Sequence, residues 1–342
     1  MQNKINIGII GKKFGYNVIY KSFLKNKKYN ISCFAFKSTK NNKLKLPKNI
    51  KIYSSWKKLI LDKKINAVAI AAPPVLHKSI IEFAIKKKKH IFCEKPLTCS
   101  NKDANYLCNL VKKKKNLAHM VNYEFPEIDA FMFFKRNIMN NIKINKVNIN
   151  WFIRQKKRPQ NNWKENHSKG GGIMFNFVCH AIYYLEFLFG KITSTKANIS
   201  IAKNKKIKTL NGTIFFKNGL SAKLNVKAGL ISKKIKATHE LKIASDKSTY
   251  ILKTKLNSLS DKFKLLKFSQ NSKNKFGKVL FKSKESKNDF RIGPTLKNSK
   301  KFSKWILNGK AQKPNFFDSQ RVHLIINKMM MSSKKNRKTS IN

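Results

Sequence analysis

Apolar positions in the first 120 residues fall into short runs separated by helically spaced stretches. Ile5–Ile10 is a nearly continuous apolar strand, interrupted only by Asn6 and Gly8. Residues 16–26 have helical spacing, and Ile31–Phe36 is a second apolar run. Trp56, Leu59, Ile60 and Leu61 share a helical face, and Ile65–Ala72 is a third strand that stops at Pro73-Pro74. His77–Lys86 is helical, His90–Cys93 a short strand, Ser100–Lys113 a helix and Leu117–Asn122 a further strand. Strands that alternate with helices predict a parallel sheet covered on both faces, and a chain that begins βαβ is a doubly wound candidate.

The pattern changes near residue 125. Phe131–Met139 reads as a helix and Lys146–Ile153 as a strand; a polar loop then leads to Gly170-Gly171-Gly172 and a long apolar helix. Between 192 and 255 the runs 193–201, 210–216, 220–226 and 240–244 read as strands, with Asn211-Gly212 and Asn218-Gly219 as turn signals. Residues 256–290 are rich in Lys, Ser and Asn and read as an exposed excursion. Two helices are expected near 299–308 and 319–331. The fold class is α/β: a first domain over 1–122, and a second, α+β domain over 123–330 with a mostly antiparallel open sheet. Its C-terminal helices could pack back on the first domain, and 331–342 would form a basic tail.

Charge changes the picture less than its size suggests. The 342 residues carry 76 Lys+Arg against 15 Asp+Glu, a formal net charge of +61. Such a surface suggests nucleic acid as a partner. Yet Lys is spread over the whole chain, and only Arg136, Arg154, Arg158, Arg291, Arg321 and Arg337 offer the bidentate geometry of base and phosphate recognition. Over-use of Lys, Asn and Ile together reads as drift toward A/T-rich codons, so no specific nucleic acid is expected, only adhesion to polyanions at low salt. The five cysteines, Cys33, Cys93, Cys99, Cys108 and Cys179, lack metal-site spacing and read as free thiols of a reducing, cytoplasmic compartment; no metal is expected. Met1-Gln2-Asn3-Lys4 runs straight into the first strand and leaves no room for a signal peptide. Residues 173–190 contain Asn176, His180 and Glu186 and read as a buried helix, not a membrane span.

Four segments carry candidate chemistry. Gly8-Ile-Ile-Gly11-Lys12-Lys13-Phe14-Gly15 ends the first strand as a dinucleotide turn would, with Gly11 and Gly15 in place but Lys13 where a second glycine belongs. The helix that follows would offer its amides to phosphates, with Lys12 and Lys13 as flanking cations. The second strand ends Ala35-Phe36-Lys37-Ser38-Thr39, without the acid that accepts from an adenosine ribose. A cation with hydroxyls suits a 2′-phosphate, so Lys37 and Ser38 favour NADP(H) over NAD(H). Ala71-Ala72-Pro73-Pro74-Val75-Leu76-His77 and Cys93-Glu94-Lys95-Pro96 follow buried strands, at the edge where doubly wound sheets bind ligands. A lysine there can act as an acid or base. In Gly170-Gly171-Gly172-Ile-Met-Phe-Asn176-Phe-Val-Cys-His180, the glycines permit close backbone approach or a sharp turn, and Asn176 and His180 share a helical face.

Together these residues resemble the Gfo/Idh/MocA oxidoreductases, collinearly over nearly the whole chain. The resemblance runs from the Gly11 turn through Trp56-Lys-Lys-Leu59, Asn66–Ile70, the prolines with His77, His90–Pro96 and Asn122-Tyr-Glu-Phe-Pro126. It continues through Trp163-Lys164, Gly170–His180, Pro314–Asp318 and Arg321. It implies a Rossmann domain followed by an α/β domain whose open sheet often forms a subunit interface, hence a homo-oligomer. It implies hydride exchange between a nicotinamide and a hydroxyl- or keto-bearing carbon of a sugar, cyclitol or nucleotide sugar. By motif match Lys95 is the lysine near nicotinamide and substrate oxygen, and His180 the acid/base histidine. Asn176 stands where many members have Asp, and can orient but not take a proton. Tyr123, Trp163 and Lys164 fall in the substrate region; Gly11, Gly15, Ala72, Pro73, His77, Glu94 and Pro96 fall with the cofactor. Tyr183 replaces another frequent Asp. Lys13 and Asn176 keep a second expectation open, a member that binds ligand without turnover; the basic surface alone supports a third, a nucleic-acid binder.

Overall fold

The computed structural model describes residues 4–36, 44–155, 162–202, 207–230, 237–255, 263–270, 277–283 and 289–341. Two compact units emerge. The first takes in Met1–Glu124, His167–Gly171 and Arg291–His323; the second takes in Phe125–Asn166, Gly172–Phe290 and Leu324–Asn342.

The first unit is built from β1 (Ile5–Ile10), α1 (Lys21–Leu24), β2 (Tyr29–Ala35), β3 (Lys51–Tyr53), α2 (Trp56–Leu61), β4 (Ala67–Ile70), α3 (His77–Lys86), β5 (His90–Cys93), α4 (Asn101–Lys112) and β6 (His119–Val121). Its six strands lie in the order β3-β2-β1-β4-β5-β6, all parallel. The chain winds one way from β1 to β3, then returns and winds the other way from β4 to β6. The reversal leaves a crevice between the carboxyl ends of β1 and β4, where such sheets bind ligands. The central strands are buried on both faces, which is why they read as apolar runs and not as alternating ones. Helix starts are set locally. Ser55 accepts from the Lys57 amide at 3.2 Å, and Ser100 accepts from the Asp103 amide at 3.1 Å.

The second unit begins with α5 (Asp129–Asn137), β7 (Ile144–Gln155) and α6 (Cys179–Phe189). Five strands follow: β8 (Ile192–Ile201), β9 (Ile207–Phe216), β10 (Ser221–Leu230), β11 (Thr238–Ser245) and β12 (Ser248–Lys255). The sheet ends with β13 (Lys264–Ser269) and β14 (Lys278–Lys282). Every pairing is antiparallel except β7 with β10. Along β7, Val147, Ile149, Trp151 and Ile153 are buried and alternate with Asn148, Asn150, Phe152 and Arg154. The polar face carries a cross-strand amide pair, Asn225 donating to Asn150 at 3.0 Å.

The chain then supplies α7 (Ile292–Asn308) to the first unit, where the Phe302 and Phe92 rings lie 5.6 Å apart and Tyr29 donates to the Ser299 carbonyl at 2.9 Å. α8 (Phe316–Lys335) starts in the first unit and ends in the second. β15 (Thr339–Ser340) closes the second sheet beside β8.

Several expectations need correcting. The polar excursion over 256–290 contains two strands, because Phe263, Leu265 and Leu266 are buried within a stretch of lysines and serines. Residues 331–341 are not a tail. They hold the end of α8 and β15, anchored by the Ser332 hydroxyl, which accepts from the Ala197 amide at 3.0 Å, and by the Ile341 amide, which donates to Thr193 O at 2.8 Å. The helix expected near 299–308 starts earlier, at Ile292, because Pro294 falls in its first turn, where no helical amide bond is lost.

Candidate active site

In the first unit, β1 runs into Gly11, whose φ of +122° few side chains tolerate. A Cβ there would sit 2.4 Å from the Ala71 carbonyl oxygen, so glycine is required by the approach of the β1 turn to the β4 turn. The helix begins at Lys13 and passes into a π-helical segment, Gly15–Tyr20, before α1. Lys13 lies outside the left-handed region and is exposed, so it replaces the second glycine without backbone strain. The Lys12 ammonium lies 5.5 Å from the Phe36 ring at the end of β2, and the Arg291 guanidinium lies 4.8 Å from the Phe14 ring. Lys37 and Ser38 lie outside the described residues.

On the other side of the crevice, Ala72 and Pro73 are half-buried after β4. His77 is fully buried, its Nδ1 2.9 Å from the Pro96 carbonyl and its Nε2 2.9 Å from the Ala72 carbonyl. A neutral ring has one N–H and can donate to one of them; burial holds the pKa below its ordinary value, against the pull of the carbonyls. His77, grouped with the cofactor residues by sequence, is thus buried between the β4 and β5 turns. Lys95 follows on that second turn, half-buried, with a cis bond to the buried Pro96.

Glu94 is buried, and its Oε1 accepts from the Asn122 side-chain amide at 2.6 Å. Burial and the neighbouring Glu124 carboxyl push its pKa up to about 8. Tyr123, expected at the substrate, is fully buried with its hydroxyl 3.1 Å from Ser319 Oγ. Gly170 also belongs to this unit: a Cβ there would lie 2.6 Å from the Pro74 Cβ, so its conformation serves a close contact with the β4 turn.

In the second unit, Asn176 lies in a π-helical turn, Met174–Val178, that leads into α6. Its amide donates to the Lys164 carbonyl at 2.9 Å, fixing the turn that carries half-buried Trp163 and exposed Lys164. The Lys164 ammonium lies 5.6 Å from the Trp163 ring. His180, one helical turn on, is buried with its ring 4.9 Å from that of Phe125. Asn176 thus holds a loop, and the His180 ring packs on an aromatic cluster. That cluster includes a residue the sequence reading did not single out. His239 lies 4.4 Å from the Trp151 ring, and its Nε2 is 3.1 Å from the Tyr184 hydroxyl. Glu124, Thr295 and Asn298 were also missed. The last two share a helical face with Arg291 at spacings of four and three, a visible pattern with no adjacent motif to give it meaning.

The first-unit residues fit a dinucleotide. A turn with no room for a Cβ, a following helix and flanking cations all meet at the reversal of strand order.

Comparison with known proteins agrees. Residues 5–123 match the model of an oxidoreductase family NAD-binding Rossmann fold, and residues 135–336 match that family's C-terminal α/β domain. An uncharacterized oxidoreductase of Synechocystis sp. is 30% identical over 156 residues, 44% of this chain and 41% of that protein. Levoglucosan dehydrogenase of Pseudarthrobacter phenanthrenivorans is 28% identical over 152 residues, 43% and 39% of the two chains. The matched stretch spans about two fifths of the length of these relatives. A solved levoglucosan dehydrogenase in complex with NADH and levoglucosan aligns over 99% of both chains at TM-score 0.81 and 18% identity. A putative NADPH-dependent oxidoreductase of Desulfitobacterium hafniense aligns over 100% of this chain and 99% of its own at TM-score 0.82 and 17% identity. No described helix is long and apolar enough to cross a membrane. With both halves of the chain matched in order and the dinucleotide turn formed, the chain belongs to the Gfo/Idh/MocA oxidoreductase family.

Proposed function

We propose that the chain is an NAD(P)-dependent oxidoreductase acting on a hydroxyl- or keto-bearing carbon of a sugar-like molecule. The observation that carries the proposal is Lys95, set on the turn after β5 and anchored from below by His77 and Glu94, at the ligand-binding edge of a doubly wound sheet. The nicotinamide, when bound, supplies the hydride exchange. The protein's share is to bind, orient and manage a proton. Lys95 and His180 are assigned to the substrate oxygen: in oxidation they withdraw its proton, and in reduction they stabilise the developing alkoxide and return the proton. Asn176 holds the Trp163-Lys164 turn in its substrate-facing role. Lys37 and Ser38 support a preference for NADP(H), because a cation with a hydroxyl answers a 2′-phosphate. Levoglucosan dehydrogenase among the relatives supports a sugar-like substrate, and the open sheet of the second unit supports a homo-oligomer.

The deciding experiment is a titration of the purified chain with NADPH and NADH in moderate salt, followed by nicotinamide fluorescence, with ADP as the control for attraction to lysines. Saturable binding beyond the ADP control is expected, tighter for NADPH, followed by oxidation of the reduced cofactor with a panel of keto-sugars. Binding without turnover on any sugar would favour a ligand-binding member over an enzyme. No binding beyond the ADP control would refute the cofactor site.

A further inference from the structure

Five buried polar side chains lie around the Glu94-Lys95 turn: Glu94 itself, Asn122 and Glu124 at the end of β6, and Thr295 and Asn298 on α7. Their hydrogen bonds run in one direction. The Asn298 amide donates to Asn122 Oδ1 at 3.0 Å and to the Tyr123 carbonyl at 3.3 Å. The Asn122 amide donates to Thr295 Oγ1 at 3.0 Å and to Glu94 Oε1 at 2.6 Å. The Tyr123 carbonyl can only accept, so it fixes which way round the Asn298 amide sits. Asn298 then fixes Asn122, and Asn122 fixes Glu94. Turning the Asn298 amide over would set oxygen against oxygen, and turning Asn122 over would set its amide against that of Asn298 and its carbonyl against Glu94 Oε1, each costing far more than a surface amide flip.

We propose that Asn298 and Thr295, acting through Asn122, are positioning residues for the Glu94-Lys95 turn, fixing which oxygen of Glu94 is left to carry a proton. Asn122 claims Oε1 as an acceptor, so a proton on Glu94 can sit only on Oε2. Glu124 and burial favour the acid form of Glu94, while the Asn122 amide, Lys95 and Arg291 favour its carboxylate. The buried Cys93 thiol beside it is itself pushed up by burial and by Glu94, so it adds no charge. Through Asn122, α7 thus sets which oxygen of Glu94 can carry a proton beside Lys95. Only the consequence for Lys95 chemistry rests on the oxidoreductase reading; the protonation state does not.

The test uses full-length chain labelled with 13C at the glutamate carboxyls, of which there are few enough to resolve. Glu94→Gln and Glu124→Gln assign the two resonances. In the wild-type chain Glu94 should titrate well above the other glutamates, coupled to Glu124. Removing the donor with Asn298→Ala frees the Asn122 amide and should raise the Glu94 titration by about 1 pH unit. Thr295→Val, nearly isosteric and safe for folding, should move it in the same direction, and Thr295→Ser should leave it where it was. A Glu94 that titrates with the exposed glutamates, or that stays put in both Asn298→Ala and Thr295→Val, would overturn the proposal. Where turnover is measurable, the basic limb of the kcat profile should move with the carboxyl while Kd for the reduced nicotinamide stays within about twofold. A wild-type chain that binds no nicotinamide would defeat the functional reading, and the carboxyl titration would still judge this one.

Discussion

Gly11 and Lys95 sit on turns at the same sheet edge, after β1 and β5 with β4 between them, yet a change at each should fail differently. Gly11→Ala forces a left-handed backbone onto a residue with a Cβ, at a cost of roughly 1–2 kcal/mol, and drives that Cβ into the Ala71 carbonyl at 2.4 Å. The expected result is a lower Tm together with weaker dinucleotide binding, measured by thermal unfolding and nicotinamide titration. An unchanged Tm would mean that the turn relaxes and that glycine is not required there. Lys95→Ala leaves the Gly11 turn intact. Dinucleotide binding should persist while turnover falls ~100–10,000-fold, the usual loss for an acid/base group. Near-wild-type turnover in that variant would remove Lys95 from the reaction. His77 teaches a related lesson. Its place in the motif suggests cofactor contact, and its ring lies within hydrogen-bond reach of the Ala72 and Pro96 carbonyls, of which its one N–H can serve one.

Among the elements, legibility followed local chemistry. α3 and β5 were readable to the residue from apolar spacing, and α4 nearly so, because Ser100 gives it a cap. Ser100→Ala should cost about 1 kcal/mol in urea unfolding, since the Asp103 amide loses its partner. No loss would mean that water serves that amide equally well. β3 escaped notice because its three residues carry only one aliphatic side chain, and β12 because its lysines and threonines hide the alternation of buried Tyr250 and Leu252. The candidate site divides the same way. Gly11, Lys95, Asn176 and His180 announce themselves through short-range motifs. Thr295 and Asn298 do not, because the residue they act on is nearly two hundred positions away and α7 rejoins the first unit only after the strands β7–β14 of the second sheet.

At the scale of the whole molecule, charge and burial set how stability responds to solution conditions. A net charge of +61 repels itself, so raising NaCl from about 20 to about 200 mM should raise Tm, and adhesion to DNA should fall steeply with salt and ignore sequence. Strong sequence preference would reopen the nucleic-acid reading. The response to pH comes from buried imidazoles. Burial holds His239 and His323 at about 3, against an ordinary 6.5. Each folded pKa is depressed, so the unfolded chain binds the proton first as pH falls. The stability these groups protect is whole above about 6.5 and drains at about 1.4 kcal/mol per pH unit per histidine down toward 3. Glu94 works in the opposite sense, because its folded pKa is raised from 4.5 to about 8; it favours the folded state at low pH and loses that advantage as pH climbs through that window. Between about 4.5 and 6.5 it offsets about one histidine, so the net slope there should still favour higher pH. Urea unfolding at pH 7, 6, 5 and 4 would measure it. His239→Gln, which keeps a polar partner for the Tyr184 hydroxyl, should flatten the acid slope by about one proton's worth, and Glu94→Gln should steepen it above pH 4.5. An acid slope indifferent to His239→Gln would show that the ring is already protonated, or already wet, in the folded chain.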